Sequence, residues 1–411
     1  MTKVRHDHQY PAERNRLAER LGAAVRAHHE PLPSPVLAVD LAAFDANAAD
    51  LVKRAGGTPI RLASKSLRVP GLIRRALSHD GFRGILAFTL AEALWLEAQD
   101  LSDDIVVAYP SVDRGALSQL VASPRAASRI TLMVDDVAHL ELVDSLRAST
   151  AVPVRIAIDV DAGLRWGGQQ VGPKRSPLYD VGAVVGLARA VARRPGFQLV
   201  GVMTYEGQVA GVPDAVPGQR ARSLVVRRLK DASISQLGAR RAAIAEALAA
   251  VGPLEFWNAG GTGSLESSAA DPVVTEVTAG SGLFAGTLFD HYRDFSPRPA
   301  AFFGLPVTRK PSPDIATVHG GGLVASGPAG SDRLPTPWSP AGLHRTGLEG
   351  AGEVQTPLIG QAARSLRIGD LVWFRHAKSG ELFEHGNLAH LLDGHRFVES
   401  VPTYRGHRLA F

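Results

Sequence analysis

The stretch Arg61-Leu-Ala-Ser-Lys65-Ser-Leu-Arg68 decides how this chain is read. An apolar run of strand length begins near Pro59, and Lys65 follows at its C-terminal end. In a βα barrel the loops after the strands converge on one face, so a lysine there reaches a shared site. Leu62 and Leu67 strip water from it, while Arg61 and Arg68 add like charge; both effects disfavour an ammonium. A free amine is what a Schiff base needs. The same residues also describe an ordinary exposed lysine at a strand end.

Working outward, short β-rich runs begin near Val36, Pro59, Gly84, Asp104, Ile130, Val154, Leu199, Leu254 and Val273. Helical patterns such as Leu90–Ala98, residues 136–146 and Val181–Ala192 lie between them. Such alternation predicts an α/β fold with a parallel sheet. Eight units close a (β/α)8 TIM-type barrel and leave one strand over; an open doubly wound sheet also fits. Upstream, Leu17, Leu21 and Val25 predict a helix over 11–30, ended by Pro31, Pro33 and Pro35. Beyond residue 290 helical periodicity stops, and short β runs recur at 315–318, 371–374, 388–392 and 397–401. These predict a C-terminal all-β domain. Residues 294–314 and 326–352, rich in Pro, Gly and Ser, read as long loops.

Composition narrows the class. Of 411 residues, 45% are hydrophobic and 21% charged, enough apolar mass for a barrel and a smaller domain. The net charge of +5 is spread, with no run of five Lys/Arg, so a nucleic-acid face is not expected. The absence of cysteine excludes disulfides and thiolate metal ligands. The polar start MTKVRHDHQYPAERNR has no apolar signal-peptide core, and the apolar runs fall short of the ~20 residues of a membrane span. A cytoplasmic protein with a small-molecule substrate and no membrane partner is expected.

Four more segments place polar groups at strand ends. Asn258-Ala-Gly260-Gly261-Thr262-Gly263-Ser264 can turn backbone N–H groups and hydroxyls toward an anion, or simply form a turn. Gly280 and Ser281 in the next small-residue turn could add donors. Asp159-Val-Asp161-Ala-Gly163-Leu-Arg165 reads as a loop ion pair or as ring-binding groups, and Tyr205-Glu206-Gly207-Gln208 as a ligand contact or a barrel cap. Downstream, His376, Lys378, Glu381, Glu384 and His385 fall within ten residues, either a divalent-metal site or a polar hairpin tip.

In this order, the motifs from about Leu32 to Leu392 resemble the D-threonine aldolase and D-serine dehydratase family, closest to its amino acid deaminase/aldolase branch. The barrel of that family is shared with alanine racemase. The resemblance implies domains at 1–34 (a helix near the β domain), 35–290 (the barrel, its first run 36–39 joining the β domain) and 291–411 (the β domain). It implies pyridoxal 5′-phosphate on Lys65, with Arg61 four residues before it, Arg165 and Tyr205 near the cofactor ring, and a phosphate cradle of Asn258, Gly260, Gly261, Thr262, Gly263, Gly280 and Ser281. It also implies a homodimer. Two positions depart from the family. Where a metal-binding His is followed two residues on by Cys or Asp, His376 is kept but Lys378 replaces the second ligand; a histidine after the tyrosine motif is Gln208. An ammonium cannot ligate a metal, so Lys378 is expected to stand in for the cation, with His376 plus Glu381 or Glu384 as the alternative, metal-binding set. The implied reaction is retro-aldol cleavage of D-β-hydroxy amino acids, with dehydration or racemisation as variants. A noncatalytic cofactor carrier and a barrel lyase without the cofactor are the readings from other classes.

Overall fold

The computed structural model describes residues 11–147 and 152–411. The first ten residues of the polar N-terminal stretch lie outside the described residues. The chain divides into two compact units, each made of separate segments: the described residues up to Ala48, Ser66–Leu72 and Ser281–Ala410 form the sheet-bearing unit, and Ala49–Lys65 with Ile73–Gly280 form the barrel unit.

The first strand, β1 (Val36–Asp40), belongs to the sheet-bearing unit. In the other unit, β2 (Ile60–Ala63), β3 (Phe82–Ala87), β4 (Ile105–Val107), β5 (Ile130–Val134) and β6 (Val154–Asp159) follow in order. A hairpin of β7 (Leu164–Trp166) and β8 (Gln169–Val171) then precedes β9 (Phe197–Thr204), β10 (Phe256–Ala259) and β11 (Glu276–Ala279). Apart from the hairpin, these eight strands form a closed parallel barrel in the order β10-β11-β2-β3-β4-β5-β6-β9. The open sheet is thereby excluded. Strands buried on both faces read as continuous apolar runs, which is why Ile105–Val107 and Ile130–Val134 show no alternation. Val106, Met133, Ala157, Val200, Met203 and Phe256 cluster in the core.

Arg61 points into this interior. It is 2% exposed and pairs with Glu276 at 2.6 Å and Asp104 at 2.9 Å. Burial works against its charge, but the two carboxylates more than offset that and hold the guanidinium firmly ionised. Asn258 joins the same network, donating to Glu276 at 2.8 Å and to Thr278 at 2.9 Å. Gly84 makes room for it: at φ +69, a Cβ there would lie 2.5 Å from the Arg61 guanidinium. The pairing of β2 with β3 shifts register between Ile60 and Leu62.

The sheet-bearing unit joins β1 with β12 (Ala301–Ser312), β13 (Ile315–His319), β14 (Thr336–Ser339), β15 (His344–Arg345), β16 (Gln355–Ile359), β17 (Leu371–Arg375), β18 (Leu388–Asp393) and β19 (Arg396–Pro402). β1 lies between β12 and β18, antiparallel to the first and parallel to the second. The helix Pro11–Ala27 lays Leu17, Leu21 and Ala24 against Val36, Phe302, Trp373 and Leu392. Arg20 pairs with Asp40 at 2.8 Å.

Two expectations need correction. The loop expected over 294–314 contains the 12-residue strand β12, and 326–352 contains β14 and β15. Pro306 and Pro311 disguise β12, whose first five residues are all buried in the middle of the sheet. The pairing of β12 with β13 accommodates the interruptions by slipping register after Val307 and again after Arg309. Ser66–Leu72 and Ser281–Ala410 group with the sheet.

Replacing Arg61 by Met would leave Glu276 and Asp104 facing each other without a cation. Denaturant unfolding should show a loss of about 3–5 kcal/mol, the usual result of breaking a buried pair. A loss below about 1 kcal/mol would contradict the role given to this cluster.

Candidate active site at the barrel mouth

Because all eight barrel strands run the same way, their C-terminal ends share one face. Lys65 follows β2, Tyr109 follows β4, Asp135 follows β5, Asp159 ends β6, Tyr205 follows β9, and the loop 260–264 follows β10. Lys65 donates to the Tyr109 hydroxyl at 2.9 Å. Burial alone would push the Tyr109 phenol up, but the charge and hydrogen bond of Lys65, with Arg175, bring it below the ordinary tyrosine value against the opposing pull of Asp159. The Arg175 guanidinium lies 5.7 Å from both the Tyr109 and the Tyr205 ring centroids. Tyr205 behaves differently: burial first, then Glu206, push its phenol up to about 12, so it remains a neutral donor.

Asp159 is 8% exposed. Its carboxyl is pushed up to about 7 by burial, then by the charge of Asp135, with Asp161 adding to the effect and Arg175 opposing it. Asp159, Asp161, Arg175, Ser176 and Tyr205 line an open cleft.

The glycine loop is held by charged side chains. Gly260 sits at φ +84, a conformation that strains any side chain. At Gly261 a Cβ would lie 3.0 Å from Ala210 and 3.3 Å from Tyr205. One carboxylate oxygen of Glu206 accepts from Ser264 at 2.7 Å and from the Ser268 hydroxyl. The other accepts from the Gly260 N–H at 3.4 Å and pairs with Arg241 at 3.0 Å. Arg241, on the helix Arg220–Ala249, also pairs with Asp271 at 3.1 Å. From another side Arg54 donates to the Thr262 carbonyl at 2.7 Å. A loop so anchored can offer backbone N–H groups to an anion without paying to order itself.

Not every residue read from the sequence gathers here. Arg61 and Asn258 are occupied inside the barrel, paired with Glu276. Arg165 is carried outward by the β7–β8 hairpin; it pairs with Asp161 at 3.2 Å and its guanidinium lies 4.4 Å from the Tyr179 ring centroid. Arg175 holds the place between the two tyrosines instead. Gln208 donates to the Ala162 carbonyl at 2.8 Å. Gly280 follows β11.

The sheet-bearing unit holds the rest. The Ser281 hydroxyl meets Ser66 at 2.9 Å, and its carbonyl accepts from Ser379. His376 is buried with Nε2 3.1 Å from Ser379; burial, then Arg375, drop it to about 3 despite a backbone bond to Ala301, so it stays neutral. Lys378 donates to the Ser326 hydroxyl at 2.6 Å, Glu381 accepts the Ser326 N–H, and Glu384 pairs with Arg68 at 2.8 Å. Among the described residues, no three His, Cys, Asp or Glu side chains gather as metal ligands.

Sequence reading missed Tyr109, Arg175 and the Glu206–Arg241 anchor. Tyr109 ends the apolar run at β4, where barrel geometry could have flagged it. Nothing in local spacing separates Arg175 from Arg165.

A lysine and a glycine loop at the mouth of a (β/α)8 barrel, in a chain that also carries a β sheet, define the class: an alanine racemase-like protein. The chain belongs to the family of the alanine racemase N-terminal domain, whose pattern matches residues 39–287. This is a family of pyridoxal 5′-phosphate enzymes. The chain is similar to D-threonine aldolase from Arthrobacter sp, 29% identical over 255 residues, 61% of each protein. It is also similar to 3-hydroxy-D-aspartate aldolase from Paracoccus denitrificans, 24% identical over 267 residues, 64% of this chain and 63% of that one. The matches thus span about three-fifths of the length of these curated relatives. In fold it resembles the crystal structure of D-threonine aldolase from Filomicrobium marinum, with TM-score 0.76 and 20% identity, covering 91% of this chain and 95% of that one. Among the described residues, no helix is long and apolar enough to cross a membrane.

Gly260→Ala should destabilise the protein by about 1–2 kcal/mol, the cost of a side chain in the left-handed region. Hydrogen exchange at 260–264 should accelerate; unchanged exchange would contradict a preorganised loop.

Proposed function

We propose that the chain is a pyridoxal 5′-phosphate-dependent lyase that cleaves D-β-hydroxy amino acids of the D-threonine kind to glycine and an aldehyde. The observation that carries this reading is the Lys65 amine, exposed at the barrel mouth on the Tyr109 hydroxyl in a barrel whose glycine loop follows a late strand. The named activities of the two curated relatives support the substrate class.

The residues present fit the cofactor. Lys65 supplies the amine that would hold it, and the loop 260–264 presents backbone to its phosphate. When bound, the group supplies an electron sink for the pair released at Cα. Tyr109 positions the lysine amine and passes a proton to or from it. Tyr205, kept protonated, donates a hydrogen bond. Arg175 has no acidic partner within ion-pair distance among the described residues and faces the cleft, so it is assigned to the substrate carboxylate.

We read the reaction as metal-independent because the second ligand position of the family pattern carries Lys378. By the same resemblance the protein is proposed to act as a homodimer in the cytoplasm.

The direct test incubates the protein with D-threonine and D-3-hydroxyaspartate and measures glycine plus aldehyde against ammonia plus keto acid. Glycine and aldehyde in equal amounts support the lyase; ammonia and keto acid alone would replace it by a dehydratase. Exhaustive chelation should leave the rate unchanged, and one activity-essential divalent ion per chain would overturn the metal-free part. Arg175→Met should raise KM about 10- to 100-fold, the equivalent of a charged hydrogen bond of about 1.5–3 kcal/mol, with cofactor absorbance intact.

A further inference from the structure

Retro-aldol cleavage needs a base for the β-hydroxyl proton, and most polar groups of the barrel are already committed. Asp161 is engaged by Arg165, Gln170 and the Gly163 N–H. Glu206 holds Arg241 and two serines, Asp271 holds Arg241, and Glu276 and Asp104 hold Arg61. Asp135 lies 3.4 Å from His139. Gln208 has no titratable proton to exchange.

Asp159 is the exception. The residue is 8% exposed and lines the cleft with Arg175 and Tyr205. Among the described residues no donor reaches its carboxylate; only its backbone carbonyl is engaged, by Ser176 at 2.7 Å. A buried acid without a partner is costly, and such cost persists where a group must exchange a proton.

We propose that Asp159 is the general base of the cleavage, taking the proton of the substrate's β-hydroxyl; this rests on the lyase reading above. The O–H bond breaks toward Asp159, the oxygen pair closes the C=O of the released aldehyde, and the Cα–Cβ pair stays with the amino acid fragment. The proton taken from the hydroxyl equals the one that glycine needs at Cα, so no oxidant, reductant or second substrate is consumed. The groups that set its proton affinity are Asp135 after β5, Asp161 on its own loop, and Arg175; the Tyr109 phenol after β4 responds to its charge. The balance puts its titration at about 7, where a base both accepts and returns a proton readily.

The base works only when ionised, so kcat/KM of the wild type should rise with pH through about 7 and then level. Asp159→Asn should keep the visible absorbance of the cofactor, lower kcat about 10²–10⁴-fold and lose this limb. Asp159→Glu should recover part of the rate and the limb. Asp135→Asn removes a neighbouring negative charge and should move the limb to lower pH, a test that stands even if Asp159→Asn fails to fold. Independently of activity, carbon NMR of the aspartate carboxyls should show one group titrating at about 7, absent in Asp159→Asn. An unchanged rate and limb in a folded, coloured Asp159→Asn protein overturns this proposal alone. A colourless wild type overturns the lyase reading and this proposal together.

Discussion

Barrel closure through β2 is the constraint on which the rest depends. β2 is hydrogen-bonded to β3 on one side and to β11 on the other, in parallel on both. A closed parallel barrel gives every strand the same direction, so Lys65, Tyr109, Asp159, Tyr205 and the loop 260–264 emerge on one face despite spanning some two hundred residues of sequence.

Charge is distributed to match. Below the mouth, Arg61 is matched by Glu276 and Asp104; behind the glycine loop, Arg241 is matched by Glu206 and Asp271. Both clusters join residues far apart in the chain. Removing one partner of either would leave a buried charge uncompensated. At the mouth the pattern reverses: Arg175 opposes the upward shift of Asp159 but forms no ion pair with it. The satisfied groups position the loop and the strands, and the unsatisfied ones face the cleft.

Much of the fold could be read in the sequence because alternating strand and helix patterns are local. The helices Leu90–Ala98 and Val181–Ala192 follow from their periodicity, and Lys65 and the glycine loop from their place at strand ends. β12 was hidden by its two prolines, since only pairing with β1, β13 and β17 shows that the interruptions are tolerated. Side-chain direction was the other limit. Arg61 and Lys65 are four residues apart in one motif, yet the first turns into the barrel and the second emerges at its mouth. Arg165 lies within the β7–β8 hairpin and Arg175 beyond its end, a difference no local spacing reveals. Glu206 pairs with a helix residue thirty-five positions later, which no local pattern announces.

The most direct test of the account is borohydride reduction of the purified protein with pyridoxal 5′-phosphate, followed by peptide mass mapping. A single pyridoxyl adduct, on Lys65, is expected. An adduct on another lysine, or none in a folded protein, would contradict it.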